Sequence, residues 1–234
     1  GVSTRLIGAL IMAHSDDNGL VLPPKVAPSH VAIIPIYRDE EEKKAVLDMA
    51  ADIVSNLKHK YFEDIEIYTE LDDRDLTSSE RNWYWIKKGI PLRIEIGPRD
   101  VASAAVMVAR RDAEPRDKQS VPVAELSDYV IKTLSEIQEN IYQRALAFRD
   151  ENIIRIDESS EFYRFFTPKN AAQPEIHGGF AFSPWCGDVA CEEKIKEDLK
   201  VTVRCIPFEN QHEKGKCICC GKESELRVIF AKSY

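Results

Sequence analysis

The sequence predicts an α/β fold: a mixed sheet covered by helices, followed by a smaller α/β unit that carries a cysteine cluster. Three observations lead there. Residues 29–150 alternate short apolar runs of strand character with longer segments of helical period. All six cysteines lie after residue 185, at 186, 191, 205, 217, 219 and 220. The 234 residues are 44% hydrophobic and 31% charged, enough to bury a core and keep a wet surface.

Residues 1–28 read as a short strand or turn, an apolar helix (LIGALIMA), a polar turn (HSDDNG) and LVLPP, with no partner for the helix inside the stretch. VAIIPIY predicts a buried strand with Pro35 near its end or on an edge. Asp39 and Glu42 fit a capping box. Behind them Val46, Met49, Ala50, Ile53, Val54 and Leu57 recur at helical spacing. IEIYTEL alternates, pointing Ile65, Ile67 and Leu71 one way. SSERNWYWIKKG predicts a helix ending at Gly89, with Lys87 and Lys88 in the favoured last turn. LRIEI buries Leu92, Ile94 and Ile96 and turns Arg93 and Glu95 outward; Gly97-Pro98 ends it. AAVMVA predicts a strand buried on both faces, and a long helix follows with Val130, Leu134, Ile137, Ile141, Ala145 and Phe148 in one stripe. The order β-α-β-α-β-β-α gives the mixed sheet. Past residue 150 the elements shorten until the apolar strand RVIF, so a domain boundary is placed near 150. No internal repeat is visible.

Charge and hydropathy exclude several classes. The net charge is -8, whereas a non-specific nucleic-acid binder is normally basic. Residues 29–90 hold 9 basic and 14 acidic side chains, residues 91–120 hold 6 and 5, so a polyanion partner must use a local patch. VAIIPIY and AAVMVA are far short of the ~20 residues of a membrane span. The first residues lack an initiator Met and a basic n-region; no signal peptide is read, and the start reads as the middle of something larger.

The cysteines are the strongest chemical signal. Four residues separate Cys186 from Cys191, and two separate Cys217 from Cys220. Two close thiol pairs give the tetrahedral S4 shell that structural Zn²⁺ prefers, at ~2.3 Å Zn–S. Gly221 allows the turn after the second pair. Cys219 is an alternative to Cys217 or Cys220, and Cys205, in RCIPF, reads as core. The competing reading is free cysteines buried as small hydrophobes. Arg93, Glu95 and Arg99 form a second constellation: a carboxylate suits guanine N1–H and N2–H₂, and an Arg fork suits O6 and N7. Lys87, Lys88, Arg110 and Arg111 are candidates for phosphate contacts. The bland alternative is a solvated strand face whose ion pairs are worth little. Trp83, Tyr84 and Trp85 read as a mixture of core and helix surface, with base stacking the minor alternative. His14, Asp16 and Asp17 read as a polar turn. No dinucleotide, Walker, nucleophile-elbow or zincin motif is present.

GVSTRLIGALIMAHSDDNGLVLPPKVAP resembles the third signature motif of class II aminoacyl-tRNA synthetases in the prolyl-tRNA synthetase family. KKGIPLRIEIGPRD resembles that family's anticodon-binding domain. CGDVAC, RCIPF, KCICCGK and the terminal AKSY resemble the extra C-terminal zinc domain of its archaeal and eukaryotic-like branch. The resemblance covers the whole chain in family order. It implies a catalytic-domain remnant at 1–28, an anticodon-binding domain at 29–150 and a zinc-binding domain at 151–234. It also implies a cytoplasmic, homodimeric parent enzyme that joins proline to its tRNA using ATP and Mg²⁺. Ser3 and Arg5 fall on nucleotide-contacting positions of the motif. Glu95 and Arg99, with Lys88 on phosphate, fall to the anticodon, whose second and third bases are guanine in proline tRNAs. Cys186, Cys191, Cys217 and Cys220 fall to zinc. Tyr234 and its carboxylate fall to a tail that folds back toward the active site. With motifs 1 and 2 absent, no catalytic residue lies in this stretch, and it is expected to be inactive alone. Where the family commonly has a Pro-Gly turn and a Phe, this chain has Ser78-Ser79 and Asn82. The rival function is a non-enzymatic adaptor that binds RNA or a protein partner.

Overall fold

The computed structural model describes residues 3–170, 177–208 and 211–232. The chain divides into two compact units, 1–145 and 146–234.

The first unit begins with α1 (Arg5–His14), none of whose residues is buried; Leu6, Ile7, Ile11 and Met12 are exposed. A turn closed by Asp16 and Gly19 follows, and the chain then runs along the end of the third helix, Leu20 N–H donating to the Lys87 carbonyl and Leu22 N–H to that of Gly89. Next come β1 (Val31–Pro35), α2 (Glu40–Leu57), the small hairpin β2 (Tyr61–Phe62) and β3 (Ile65–Glu66), and β4 (Thr69–Leu71). They are followed by α3 (Ser78–Lys88), β5 (Leu92–Ile96), α4 (Pro98–Ser103), β6 (Ala105–Arg110), β7 (Lys118–Pro122) and the long α5 (Leu126–Glu151). The sheet order is β4-β1-β5-β6-β7. β1 is parallel to β4 and β5, while β6 is antiparallel to β5 and β7. The expected mixed sheet is thus present.

Its faces explain the burial. Val31, Ile33, Leu92, Ile94, Ile96, Val106, Val108 and Val121 pack with Val46, Ala50, Ile53 and Leu57 of α2 and Val130, Leu134, Ile137 and Ile141 of α5. Both helices thus bury the stripes their periodicities predict, except that Phe148 is 64% exposed. The opposite face carries Ala32, Ile34, Arg93 and Glu95, all buried. The expectation that Arg93 and Glu95 turn to solvent is corrected: α3 lies over this face, and alternation reports two faces without saying whether both are covered.

Local details also differ. The IEIYTEL run breaks into β3 and β4, and Leu71 is exposed. Asp39 caps α2 by accepting from Glu42 N–H at 2.8 Å, but the Glu42 carboxylate reaches Arg38 N–H instead of closing the box. A complete box forms at Thr77 and Glu80, starting α3, and Gly89 ends it in the left-handed region. Helix α4 and strand β7 were unforeseen, because six residues after Gly-Pro and the polar KQSVP carry no apolar period.

The second unit contains β8 (Ile153–Arg155), α6 (Ser159–Phe166), β9 (Phe180–Pro184), α7 (Val189–Leu199), β10 (Val201–Cys205), β11 (Gln211–Lys216) and β12 (Glu223–Lys232). Its sheet order is β10-β12-β9-β8, and β11 pairs with the start of β12. Phe162, Phe166, Ile195, Leu199, Val228 and Phe230 form its core. Cys205 is exposed at the end of β10, not in that core.

Candidate functional site

In the first unit a cavity of ≈ 960 Å³ opens between α3 and the polar face of the sheet. Asn82, Trp83 and Ile86 supply the α3 wall, Arg93 and Glu95 the β5 wall, and Arg116 and Lys118 the β7 side. Arg93 is only 2% exposed. Its Nη1 donates to Asn82 Oδ1 at 2.9 Å, and Asn82 Nδ2 donates to the Ser78 carbonyl, which fixes the amide's orientation. Arg93 Nε and Nη2 are buried with no partner among the described residues. Those two atoms form one edge of the guanidinium fork, and leaving charged donors unmade inside a protein is costly. Burial lowers the Arg93 pKa to about 10, opposed by the nearby Glu95 charge and aided by Arg111, so the group remains a cation at neutral pH. Glu95 is 8% exposed, and both its oxygens accept from Lys118 Nζ at 2.7 Å. Arg93, Glu95 and Lys118 together leave one net positive charge in a chain of net charge -8.

The residues read from sequence fall into two groups. Glu95 reaches the cavity but is already paired. Arg99, in the first turn of α4, and Lys88, at the end of α3 with Nζ 5.6 Å from the Tyr84 ring, are exposed and are not among the cavity walls. Arg110 and Arg111, candidates for phosphate, are committed internally. Arg110 forks onto Asp112 at 2.9 Å, and buried Arg111 binds both Asp16 oxygens, the Ile86 carbonyl and the Gly19 carbonyl. Lys118 and Asn82 were missed as site residues: β7 lacked a strand pattern, though the departure from the family pattern at Asn82 was a usable signal. Ser3 and Arg5 are exposed at the start of α1. Tyr234 lies outside the described residues.

In the second unit, Cys186 follows β9, Cys191 lies in the first turn of α7, and Cys217 and Cys220 occupy the turn between β11 and β12. Their four Sγ atoms lie within 4.8 Å of one another. Cys186 Sγ is 3.7 Å from Cys191 Sγ and 3.8 Å from Cys220 Sγ. A tetrahedron of ~2.3 Å metal–sulfur bonds has edges of roughly 3.8 Å, so the donor set fits a tetrahedral S4 ion. Cys219 is not in the set; it packs against the second core. At Cys217 the local backbone favours thiolate. Burial raises the Cys217 thiol, but backbone N–H groups of Cys220, Cys219 and Cys186 outweigh it and bring the pKa to about 7. Burial and the neighbouring thiols Cys220 and Cys186 push Cys191 upward. Ionising all four thiols at this spacing would require a cation among them.

Comparison with known proteins follows this division. Residues 30–133 match the family described as anticodon binding domain, and residues 171–234 the one described as prolyl-tRNA synthetase, C-terminal. The chain is 47% identical over 235 residues to a proline–tRNA ligase of Protochlamydia amoebophila and 46% identical over 238 residues to proline–tRNA ligase 2 of Anaeromyxobacter dehalogenans. Each match covers 100% of this chain and 46% of the relative.

The chain belongs to the prolyl-tRNA synthetase family.

The crystal structure of prolyl-tRNA synthetase from Cryptosporidium parvum, complexed with halofuginone and AMPPNP, superposes with a TM-score of 0.81 at 33% identity, covering 99% of this chain and 45% of that one. The chain therefore corresponds to the anticodon-binding and C-terminal region of a prolyl-tRNA synthetase and spans slightly under half the length of the relatives it matches. The cavity lies in the part matched to the anticodon-binding family, and the thiol cluster in the part matched to the prolyl-tRNA synthetase C-terminal family. Among the described residues, no helix is long and apolar enough to cross a membrane.

Proposed function

We propose that this chain serves a proline–tRNA ligase as its anticodon reader, with residues 1–28 belonging to the catalytic domain, 29–150 reading the anticodon and 151–234 forming a zinc-stabilised domain. The parent enzyme is a cytoplasmic homodimer that uses ATP and Mg²⁺ to join proline to its tRNA. Ser3 and Arg5 contact the nucleotide. The observation that carries the reading is the buried Arg93 with an unpaired Nε/Nη2 edge beside a cavity. Such an edge matches guanine O6 and N7, and a bidentate pair discriminates by ~1–3 kcal/mol. Lys118 pairs with both Glu95 oxygens and holds the carboxylate in place. It also adds the positive field that draws RNA into an otherwise acidic molecule. Glu95 accepts from a guanine Watson–Crick edge once Lys118 swings toward a phosphate, while exposed Lys88 and Arg99 meet the backbone or the loop rim.

The test is tRNA binding by the full-length enzyme. Arg93→Gln weakens cognate tRNA by ~1–3 kcal/mol and relaxes discrimination against a tRNA whose anticodon guanines are replaced. Equal loss on both tRNAs would remove the base-reading role.

Zinc bound by Cys186, Cys191, Cys217 and Cys220 is structural, because four thiolates leave no open position for a catalytic water. Metal analysis of native protein finds about one zinc per chain, and a value near zero would overturn this.

A further inference from the structure

We infer that Trp83 is a stacking platform for an unpaired RNA base held in the α3–β5 cavity, a role that rests on the anticodon reading above but is carried by separate observations. Besides Ser78 at its first position, the α3 residues on the cavity wall are Ser79, Asn82, Trp83 and Ile86. They fall at i, i+3, i+4 and i+7, so one continuous helical face looks onto the cavity.

The three consecutive aromatics of this helix have different fates. Tyr84 is covered by the Arg74 guanidinium, 3.9 Å from its ring centroid. Trp85 donates its indole N–H to Asp72 Oδ2 at 2.8 Å. Trp83 is 43% exposed and, among the described residues, makes no hydrogen bond, cation–π or ring contact. A large aromatic left open beside a buried guanidinium whose Nε/Nη2 edge has no partner among the described residues is matched by a ligand with both a π-face and an acceptor edge. A nucleobase has both, and bases splayed from single-stranded loops are taken up in this way.

The division of labour has a physical consequence. Stacking is tolerant of base identity because every base has a π-face, whereas the guanidinium edge selects by acceptor position. Trp83 therefore supplies affinity, and Arg93 supplies discrimination.

The experiment measures binding of the full-length enzyme to cognate proline tRNA and to tRNA with replaced anticodon guanines, for wild type, Trp83→Ala, Trp83→Phe and Arg93→Gln. Intrinsic tryptophan fluorescence is followed in the same titrations. Trp83→Ala should lose about tenfold or more in affinity on both tRNAs, leaving their ratio unchanged. Trp83→Phe should bind within about threefold of wild type, because a π-face remains. Part of the wild-type fluorescence quenching should vanish in both variants. Wild-type affinity in Trp83→Ala with unchanged quenching would overturn the stacking role. Equal losses in Trp83→Ala and Trp83→Phe would do the same, since stacking tolerates phenylalanine. The Arg93→Gln arm reports on the anticodon reading separately: a changed ratio there with a silent Trp83→Ala sinks the platform and leaves the reading standing.

Discussion

Gly89 sits at φ +74° at the end of α3, and a Cβ on it would lie 2.7 Å from both the Cβ and the carbonyl oxygen of Leu20. Gly19, at φ +133°, would meet the Lys87 Cα at 2.6 Å. These two positions let the segment after α1 run flush against the last turn of α3. Alanine at either site combines left-handed strain with a backbone clash and should cost about 1–3 kcal/mol in thermal unfolding of the purified protein. The same seam is fastened by Arg111 on Asp16, and nearby Arg110 and Asn140 hold the buried Asp112. For Asp112, burial alone would raise the carboxyl pKa, but hydrogen bonds from Arg110 and Asn140 lower it overall; Asp16 is lowered chiefly by its bond to Arg111. Between the folded and unfolded values the unfolded chain binds more protons. The stability these groups give is therefore fully present above the ordinary Asp value of about 3.9 and is lost as pH falls through the folded values. Asp112→Asn should lower stability at pH 7 and flatten its decline below about pH 4, as read by melting temperature against pH.

At the scale of elements, α3 determines the cavity. Its N-terminus is fixed by the Thr77–Glu80 box, the Thr77 hydroxyl oxygen accepting from Glu80 N–H at 3.2 Å and the Glu80 carboxylate accepting from Thr77 N–H at 2.9 Å. The middle is tied down by Arg81, which donates to the Asp72 carbonyl, and by Trp85 on the Asp72 carboxylate. Thr77→Ala should cost ~1 kcal/mol of stability. Because Ser78, Ser79 and Asn82 follow directly in the cavity wall, the same change should also weaken tRNA binding measurably. Unchanged tRNA affinity at reduced stability would show that fraying of this turn does not reach the cavity. In the second unit the corresponding element is the Cys217–Gly221 turn, where Gly221 N–H donates to the Cys217 carbonyl at 2.9 Å and Cys217 N–H to that of Lys222 at 2.8 Å. It delivers two thiols to Cys186, which follows β9, and Cys191, in the first turn of α7, so Cys217→Ser should lower both metal content and the melting temperature of this unit.

For the whole molecule, the division at 145/146 separates a unit stabilised by an apolar sheet–helix core from one whose smaller core is joined to a metal-fitting cluster. A strong chelator should therefore lower the unfolding temperature of residues 146–234 and leave the first unit's transition in place, as resolved by calorimetry or hydrogen exchange. Loss of both transitions together would mean that the metal stabilises the entire chain.

Local sequence alone determined the elements whose signals repeat within one segment. These were the α2 and α5 core stripes, the α3 stop at Gly89, the apolar face of β5, and the two thiol pairs at ligand spacing. It also determined the family, because long motifs survive in order. The tertiary structure decided which polar groups meet. Arg93 finds Asn82 eleven positions earlier, Glu95 finds Lys118 two strands later, and Arg111 turns inward to Asp16. It likewise placed Cys220 in the thiol cluster and Cys219 against the core. The physical reason is common to these cases. Periodicity tells which side chains share a face, but burial of that face depends on a second layer, and ion pairing depends on strand register and turn geometry fixed by distant residues.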